Sequence, residues 1–213
     1  MKINIAAPGE LSSDKLRQIF EFRYRIYIDE LGFRDSHADH ESKIISDDLD
    51  PKAYHFYAER EQADGASGAD GASEIVGVGR FNVLRDYCND ETVELFQLKS
   101  LTSDYLETCL VSTMIMVTPD HRGGTLPMEI AIAQLKAAQT LDVDWCVISC
   151  HFERKGFFQR IGFEEFVPES THPDFGRIAL MKLNLRTAIT PDVNAPNPDK
   201  EALLKKRASL AAE

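Results

Sequence analysis

The chain lacks the features that would staple a fold covalently or carry it into a membrane. Its 213 residues include four cysteines, and no two of them form a C-x-x-C pair. Cysteine and histidine do not cluster at zinc-ligand spacing, so we expect reduced thiols and no metal site. No apolar run approaches the roughly 18 residues of a bilayer span. Residues 1–4 contain no charged leader. We therefore expect a cytoplasmic protein without a membrane span.

Excess positive charge and the common nucleotide-binding motifs are also missing. The chain has 24 lysines and arginines against 35 aspartates and glutamates, a net charge of −11. Such a chain is poorly suited to nucleic acid, because nonspecific affinity there comes from basic side chains on phosphates. Neither G-x-x-x-x-G-K-[ST] nor G-x-G-x-x-G occurs. An ATPase or a dinucleotide-dependent dehydrogenase is therefore disfavoured.

The chain is long enough and, at 43% hydrophobic residues, apolar enough to bury one α/β core. We place that domain at residues 1–187 and a C-terminal segment at 188–213, a proline-punctuated linker followed by a helix over 201–211. Residues 63–73 repeat Ala-Asp-Gly-Ala-Ser, which predicts a mobile hairpin tip. The composition leaves monomer and homodimer open.

A strand, a glycine-containing loop and a helix form the most informative stretch. Residues 109–117 predict the strand, Leu126 begins a helix that continues to Leu141, and residues 143–150 predict a second strand. This order indicates a right-handed crossover with the loop at the ligand-binding edge of the sheet. Glycines allow close backbone approach, and Arg122 and the helix start bring positive charge. The loop predicts a phosphate or pyrophosphate site, with a plain turn and a solvated arginine as the alternative.

Periodicity and turn signals outline the remaining elements. A helix is expected from about Asp14 to Leu31, capped by Ser12 or Ser13 and stopped by Gly32. Residues 33–52 are polar and aperiodic and predict a loop that could serve as a lid. Strands are expected at 53–59 and 74–82, a short helix near 92–100, and an edge strand over 177–183.

The segment 117–124 resembles the acyl-CoA-binding motif of the GNAT N-acetyltransferase superfamily, and residues 158–163 resemble that family's later helix-Gly-Phe segment. Counting from Arg122, the two later small positions of the motif are held by Thr125 and Pro127. The resemblance implies a layered α/β (α+β) fold, in which helices flank a mixed, mostly antiparallel sheet. It also implies acyl-CoA or acetyl-CoA as a co-substrate.

A second resemblance narrows the branch. Residues 22–33 are similar to the N-terminal segment of acyl-homoserine-lactone synthases and long-chain N-acyl amino acid synthases. A D-x-x-D pair follows, supplied by Asp47 and Asp50, then an apolar strand and a G-x-x-R-F segment that ends at Arg80 and Phe81. With the preceding motif, the resemblance covers most of residues 20–165.

Two departures from the relatives affect the expected chemistry. When the E-x-S-R motif of homoserine-lactone synthases is aligned on Ser112, Leu110 stands at the position of its glutamate and Thr113 at the position of its arginine. Because that glutamate and arginine are implicated in acceptor handling, we expect a relative that acylates an amine other than S-adenosylmethionine. Phe158 stands where many acetyltransferases place a tyrosine acid, and phenylalanine has no proton to donate.

The resemblance assigns roles to two sets of residues. Contacts to the acyl donor are implied for Ile115, Met116, Val117, His121, Arg122, Gly123, Gly124, Thr125 and Phe158. Contacts to the acceptor are implied for Arg23, Tyr27, Phe33, Asp47, Asp50 and Arg80. The backbone N–H groups of the first three residues would stabilise the oxyanion that forms from the thioester.

Ion pairing and proton transfer yield further expectations. Arg23 and Arg80 sit among apolar neighbours, and buried arginines require carboxylate partners such as Asp47 and Asp50. The alternative is an ordinary helix core followed by a solvated acidic turn. The attacking amine needs a base, for which Glu107, His151 and Asp50 are candidates, although a lone histidine is more often structural.

We therefore predict an N-acyltransferase that moves an acyl group from acyl-CoA or acyl carrier protein to the amine of an amino acid or similar small molecule. The alternatives are a short-chain acetyltransferase that uses acetyl-CoA and a noncatalytic acyl-CoA binder. The acidic balance disfavours docking to acidic acyl carrier protein, unless a local patch of Arg122, Arg154, Lys155 and Arg160 overrides it.

Overall fold

Seven strands form one sheet in a computed structural model that describes residues 2–61 and 73–190. The strands are β1 Ile3–Ala6, β2 Ala38–Asp39, β3 Ile44–Ile45, β4 Tyr54–Glu61, β5 Ser73–Val83, β6 Cys109–Val117, β7 Trp145–His151, β8 Glu164–His172 and β9 Gly176–Asn184. The sheet order is β1-β4-β5-β6-β7-β9-β8, and β2 and β3 form a separate small ribbon.

Six α-helices connect these strands in the described part of the chain. They are α1 Ser13–Tyr24, α2 Asp90–Leu95, α3 Leu98–Leu101, α4 Tyr105–Thr108, α5 Leu126–Ala138 and α6 Lys155–Gln159. Short 3₁₀ turns cover Asp50–Lys52, Pro119–His121 and Phe152–Arg154, and a π-helix covers Arg25–Glu30. Within these ranges no helix has the length and apolar character to cross a bilayer.

The predicted crossover is confirmed. Strands β6 and β7, which α5 connects in the sequence, lie side by side and pair in parallel. Every other strand pair in the described sheet is antiparallel. Pro127 lies in the first turn of α5, where its missing N–H costs no hydrogen bond. The expected mixed, mostly antiparallel sheet flanked by helices is therefore present.

Helix α1 begins where the sequence predicts and ends differently. Ser12 caps it by accepting a hydrogen bond from the backbone N–H of Lys15. The α-helix ends at Tyr24, and the predicted remainder up to Leu31 winds as the π-helix. Gly32 terminates the segment with φ of +65°, a conformation that glycine adopts without a Cβ penalty.

Several boundaries predicted from the sequence were wrong. Strand β9 is not an edge strand, because β8 pairs along its outer side and forms the edge itself. The helix expected near 92–100 is split into α2 and α3 by Gln97, whose φ is +47°. The loop at 33–52 contains the β2–β3 ribbon and a 3₁₀ turn.

The expected helix at 201–211 and the insert at 63–72 lie outside the described residues, while Ser73 begins β5.

The sheet is covered on both faces by apolar side chains. Helix α5 contributes Leu126, Ile130 and Leu135 to the largest cluster, which includes Val76 and Phe81 of β5. On the other side, α1 and the π-helix pack Ile19, Phe22 and Ile26 against Ile75, Val78 and Met116. A third cluster joins α2 and α3 to β6, β7 and β9. These layers fix β5 and β6 from both sides.

The contact between β5 and α5 requires a glycine at position 79. A Cβ added to Gly79 would lie 2.7 Å from Gln134 Nε2 and 2.9 Å from Ile130 Cγ2, inside normal contact distance. We predict that Gly79→Ala lowers the free energy of unfolding by about 1–3 kcal/mol through overpacking, measured by urea denaturation.

The matched control is Gly156→Ala in α6, where an added Cβ meets nothing within 4 Å. That variant should be neutral or slightly stabilising, because alanine favours a helix over glycine by up to about 1 kcal/mol. Equal stability of Gly79→Ala and the wild type would contradict the packing argument.

Candidate active site

Strands β6 and β7 separate partway along their length. Their parallel pairing runs from Cys109 opposite Trp145 to Val111 opposite Val147, and no further pairs form toward their carboxyl ends. The pairing of β6 with β5 also shifts register here, and Met114 has φ of +62°, an outlier for a residue with a Cβ. A bulge of this kind redirects a strand. The result is a V-shaped gap in the sheet.

The predicted oxyanion donors lie along this gap. Ile115, Met116 and Val117 follow the bulge on β6, where the sheet provides no partner from β7. Because β6 still pairs with β5 here, only the backbone groups that point toward the missing neighbour are available to a ligand. Their role toward a thioester stays a prediction.

The loop after β6, for which the sequence predicts an anion site, joins that strand to the start of α5. Thr118 anchors it by donating its backbone N–H to Val76 O at 2.9 Å, and its hydroxyl lies 2.9 Å from His121 Nδ1. Gly123 has φ of +76°, and α5 begins three residues later with its unpaired N–H groups. Arg122 forms an ion pair with Glu30. Binding of an anionic group by this loop stays a prediction, and such a group would compete with Glu30 for Arg122.

A cleft of about 180 Å³ opens on the sheet face opposite α5, beside the gap. Its walls come from the π-helix, the loop between residues 33 and 52, β5, the α2 region, β6, β7 and the β8–β9 hairpin. The predicted site residues Tyr27, Asp47, Arg80 and His151 all line it. Residues distant in the sequence thus converge on one cavity.

Buried ion pairs form one side of this cleft. Arg80 binds both carboxylate oxygens of Asp47, at 2.6 and 2.7 Å, and its Nη1 lies 2.8 Å from Asp50 Oδ1. Arg23 Nη1 donates to both oxygens of Asp50 at 2.8 and 2.9 Å. Arg80 Nε donates to Thr113 Oγ1 at 3.0 Å. The pairing expected from the sequence is therefore present, although a role in acceptor binding stays a prediction.

Burial makes the charged side chains of this network depend on one another. Arg23 and Arg80 are 0% and 1% exposed, so each guanidinium depends on its carboxylate partners for stabilisation. Burial alone would raise the pKa of Asp50, but Arg23 and Arg80 hold that pKa well below its usual value. Asp50 therefore stays ionised between the two guanidiniums, and a carboxylate of lowered pKa is a weak proton acceptor, so its surroundings do not favour the role of base.

Aromatic rings close another side of the cleft. Phe33 stacks on His151 with ring centroids 5.6 Å apart, and Tyr27 and Phe175 contact Phe33 edge to face. The hydroxyl of Ser36 donates to Asp174 Oδ2 at 3.2 Å. These contacts join the loop at residues 33–36 to the β8–β9 hairpin, so the segment at residues 33–52, here called the lid, is held against the cleft.

Other predicted residues lie elsewhere. Glu107 is exposed on α4, before the first residue of β6, and does not line the cleft. Its placement does not favour the predicted catalytic role. Phe158 packs in the core against Phe157 and Phe163, so its predicted contact with the acyl donor stays untested.

The architecture around the gap matches that of solved structures. A mixed sheet with a parallel pair that separates partway, a glycine-containing loop after the first of those strands and a cleft beside the gap agree with the GNAT fold expected from the sequence. TofI, solved in a ternary complex with an inhibitor and MTA, superposes with a TM-score of 0.67 at 14% identity, covering 94% of this chain and 100% of TofI.

Two further solved structures agree. The CoA-dependent acyl-homoserine lactone synthase MesI has a TM-score of 0.64 at 18% identity, covering 92% of this chain and 100% of MesI. An acyl-CoA N-acyltransferase from Pseudomonas aeruginosa has a TM-score of 0.60 at 15% identity, covering 85% of this chain and 99% of that enzyme. At these identities the likeness establishes the fold.

The family model described as N-acyl amino acid synthase FeeM matches residues 18–184. The chain therefore belongs to this family, and it is an acyltransferase. The resemblance to N-acyl amino acid synthases predicted from the sequence is confirmed. A search of curated proteins gave no match.

Sequence reasoning missed the acidic residues of the cleft. Asp35, Glu91 and Asp174 line it, yet each lies in a polar segment whose sequence shows no periodicity. The Pro-Asp-Phe-Gly turn at residues 173–176 was an available signal for a hairpin. It would have placed His172 and Asp174 between the end of β8 and the start of β9. Glu30 as the partner of Arg122 had no signal in the sequence.

Loss of Arg80 should expose the dependence of the lid on the buried ion pairs. Arg80→Ala leaves Asp47 and Asp50 without this guanidinium, so we expect a loss of about 3–5 kcal/mol in the free energy of unfolding. Limited proteolysis should then cut residues 33–49 faster than in the wild type.

The control is Arg177→Ala, which removes an exposed ion pair with Glu169 and should change neither property appreciably. Unchanged stability and unchanged cleavage in Arg80→Ala would contradict the proposed structural role of the network.

The pH dependence of stability should report on His55, a buried histidine that contacts Asp50 of the ion-pair network. Burial, followed by the charge of Arg23, lowers the pKa of His55 to about 4. Its Nε2–H donates to Asp50 O at 3.1 Å, and its Nδ1 has no partner. Since the unfolded chain takes up the proton near 6.5, this contribution is complete above that pH and is lost as pH falls toward 4.

Lowering the pH from 7 to 4 should reduce the free energy of unfolding of both proteins. We predict that this reduction is about 3 kcal/mol smaller in His55→Gln, which keeps an N–H donor but cannot take up the proton. Urea denaturation at each pH measures this difference. Parallel pH profiles for the two proteins would show that His55 does not titrate as proposed.

Proposed function

We propose that this protein transfers an acyl group from acyl-CoA to the amine of an amino acid or related small amine. The observation that carries the proposal is the family match over residues 18–184. The geometry is consistent with it, because the gap between β6 and β7 opens beside a cleft of suitable size for a small acceptor.

The acyl donor enters, in this proposal, between the separated strands. The pyrophosphate of CoA would lie on the loop at residues 118–125, where Gly123 and the start of α5 present N–H groups. Arg122 would exchange Glu30 for the phosphates. CoA is favoured as the carrier because MesI is a CoA-dependent synthase. The alternative donor is acyl carrier protein.

The acceptor occupies the cleft under the lid. Where homoserine-lactone synthases carry glutamate and arginine, this chain has Leu110, which is 0% exposed, and Thr113, which accepts a hydrogen bond from Arg80. Neither side chain carries the charge of its counterpart. This substitution favours an acceptor other than S-adenosylmethionine.

The chemical step needs a base and an oxyanion site. The amine nitrogen attacks the thioester carbonyl, a C–N bond replaces the C–S bond, the amine proton passes to the base, and the thiolate leaves to be protonated from solvent. His151 is the proposed base, because it ends β7 inside the cleft and stacks on Phe33. N–H groups of residues 115–117 would stabilise the developing oxyanion. A cytoplasmic location, and a monomer or homodimer, stay predictions.

Release of free thiol tests the proposal. The purified protein is incubated with acetyl-CoA or lauroyl-CoA and a panel of amino acids, and products are identified by mass spectrometry. Thiol release with N-acyl product is the expected result, with lauroyl-CoA the better donor. Preference for acetyl-CoA would identify a small-group acetyltransferase, and binding without thiol release would identify a noncatalytic binder.

His151→Gln tests the proposed base. We expect kcat to fall by about 10²–10⁴, the usual contribution of a positioned base, with little change in the KM for acyl-CoA. His40→Gln is the control, since His40 contacts Tyr24 and does not line the cleft. An unchanged kcat in His151→Gln would exclude this role.

A further inference from the structure

The two arginines of the ion-pair network are not available to a ligand in the cleft. Arg80 donates its Nε to Thr113, and its two terminal nitrogens bind the carboxylate of Asp47. Arg23 keeps unpaired nitrogens, but it is 0% exposed and does not line the cleft. An arginine binds a carboxylate through two parallel hydrogen bonds, which require a free donor edge that the ligand can reach. An acceptor with a free carboxylate therefore needs another cation.

Arg154 lies close to the proposed base along the chain. His151 ends β7, and Arg154 ends the 3₁₀ turn Phe152–Arg154 that follows directly. A 3₁₀ turn advances only about 2 Å per residue, so the two Cα atoms stay within about 10 Å of each other. Arginine has a long side chain that spans much of this distance. The guanidinium of Arg154 is therefore within reach of the space beside the His151 imidazole.

The charge of Arg154 acts on two side chains that line the cleft. Burial and the charge of Asp35 raise the pKa of Tyr27 to about 12, and the charges of Arg23 and Arg154 oppose this rise. Burial likewise raises the pKa of the Cys150 thiol, against the charge of Arg154 among others. Tyr27 and Cys150 both line the cleft. Arg154 therefore lies at the rim of the cleft, at the carboxyl end of β7.

Arg154 is also free to take a new partner. Its side chain is exposed, and it forms no ion pair or hydrogen bond within residues 2–61 and 73–190. By contrast, Arg122 is paired with Glu30. Acidic residues outnumber basic ones by 35 to 24 in this chain, yet no carboxylate of the described residues occupies this guanidinium. Its donor edge is available to the carboxylate of a ligand.

We propose that Arg154 binds the α-carboxylate of the acceptor amino acid while the amine of the acceptor faces His151. An α-amino acid carries both groups on one carbon, which suits two side chains this close together. The carboxylates of Asp35 and Asp174 line the cleft and disfavour a ligand carboxylate placed deeper inside it. Arg154 thereby selects α-amino acids over amines that lack an adjacent carboxylate. This inference rests on the proposed acyl transfer for its kinetic readout.

The test compares two acceptors that differ by one carboxyl group. Leucine and 3-methylbutylamine, its decarboxylated counterpart, are assayed by thiol release from lauroyl-CoA in the wild type and in Arg154→Gln. We expect kcat/KM for leucine to fall by about 10- to 100-fold in the variant, the usual value of a hydrogen-bonded contact between charged groups. The value for the amine should not change. Because each acceptor is compared between two proteins, the different basicity of the two amines cancels.

Two further variants make the result specific to the guanidinium. Arg154→Lys keeps the charge but loses the planar pair of donors, so it should retain part of the leucine activity. Arg85→Gln is the matched control, because Arg85 is exposed and donates to Asp142 O just before β7, at the opposite end of that strand from His151. It should leave both acceptors unchanged.

Equal losses for the two acceptors in Arg154→Gln would overturn the proposal. An increase in the KM for lauroyl-CoA with an unchanged KM for leucine would also overturn it, because Arg154 would then contact the acyl donor.

Binding separates this inference from the proposed function. Saturation-transfer NMR of leucine with the wild type and with Arg154→Gln detects weak binding and needs no turnover. A leucine signal that is lost in Arg154→Gln, with no thiol release in either protein, would uphold the carboxylate site and refute acyl transfer. Equal leucine signals in the two proteins would refute the carboxylate site whatever the activity.

Discussion

The buried ion pairs of Arg80 and Arg23 with Asp47 and Asp50 are the interaction on which the rest of the site depends. They join α1, the lid and β5, which are separate in sequence, across a region where all four side chains have little contact with water. Each charge is tolerable only with its partners in place. The geometry of the lid and the wall of the cleft therefore follow from one set of electrostatic constraints.

The separation of β6 from β7 is the second constraint, and in the proposed function it allows one sheet to hold two substrates. Pairing up to Val111 and Val147 anchors both strands, and the bulge at Met114 then turns β6 away from its neighbour. On one side of the gap lies the loop that leads into α5, and on the other lies the cleft. A thioester placed in the gap would meet an amine in the cleft, which is the arrangement that acyl transfer requires.

Much of this architecture could be predicted from the sequence, where the signals were local. Helical spacing and an early proline predicted α5, and two arginines among apolar residues predicted carboxylate partners. Strand β8 was missed because it is a largely exposed edge strand with register shifts and Pro168, so no alternation of apolar residues marks it. The acidic lining and the Glu30–Arg122 pair depend on which loops meet in space. Those contacts are tertiary, and residue spacing does not encode them.

The most direct test of the account is hydrogen–deuterium exchange with and without lauroyl-CoA. Amides slow their exchange where a ligand occupies them or suppresses local opening. The account predicts protection confined to residues 112–117, 123–128 and 148–151, the two edges of the gap and the loop that leads into α5. Protection elsewhere, with these segments exchanging as before, would contradict the placement of the acyl donor between β6 and β7.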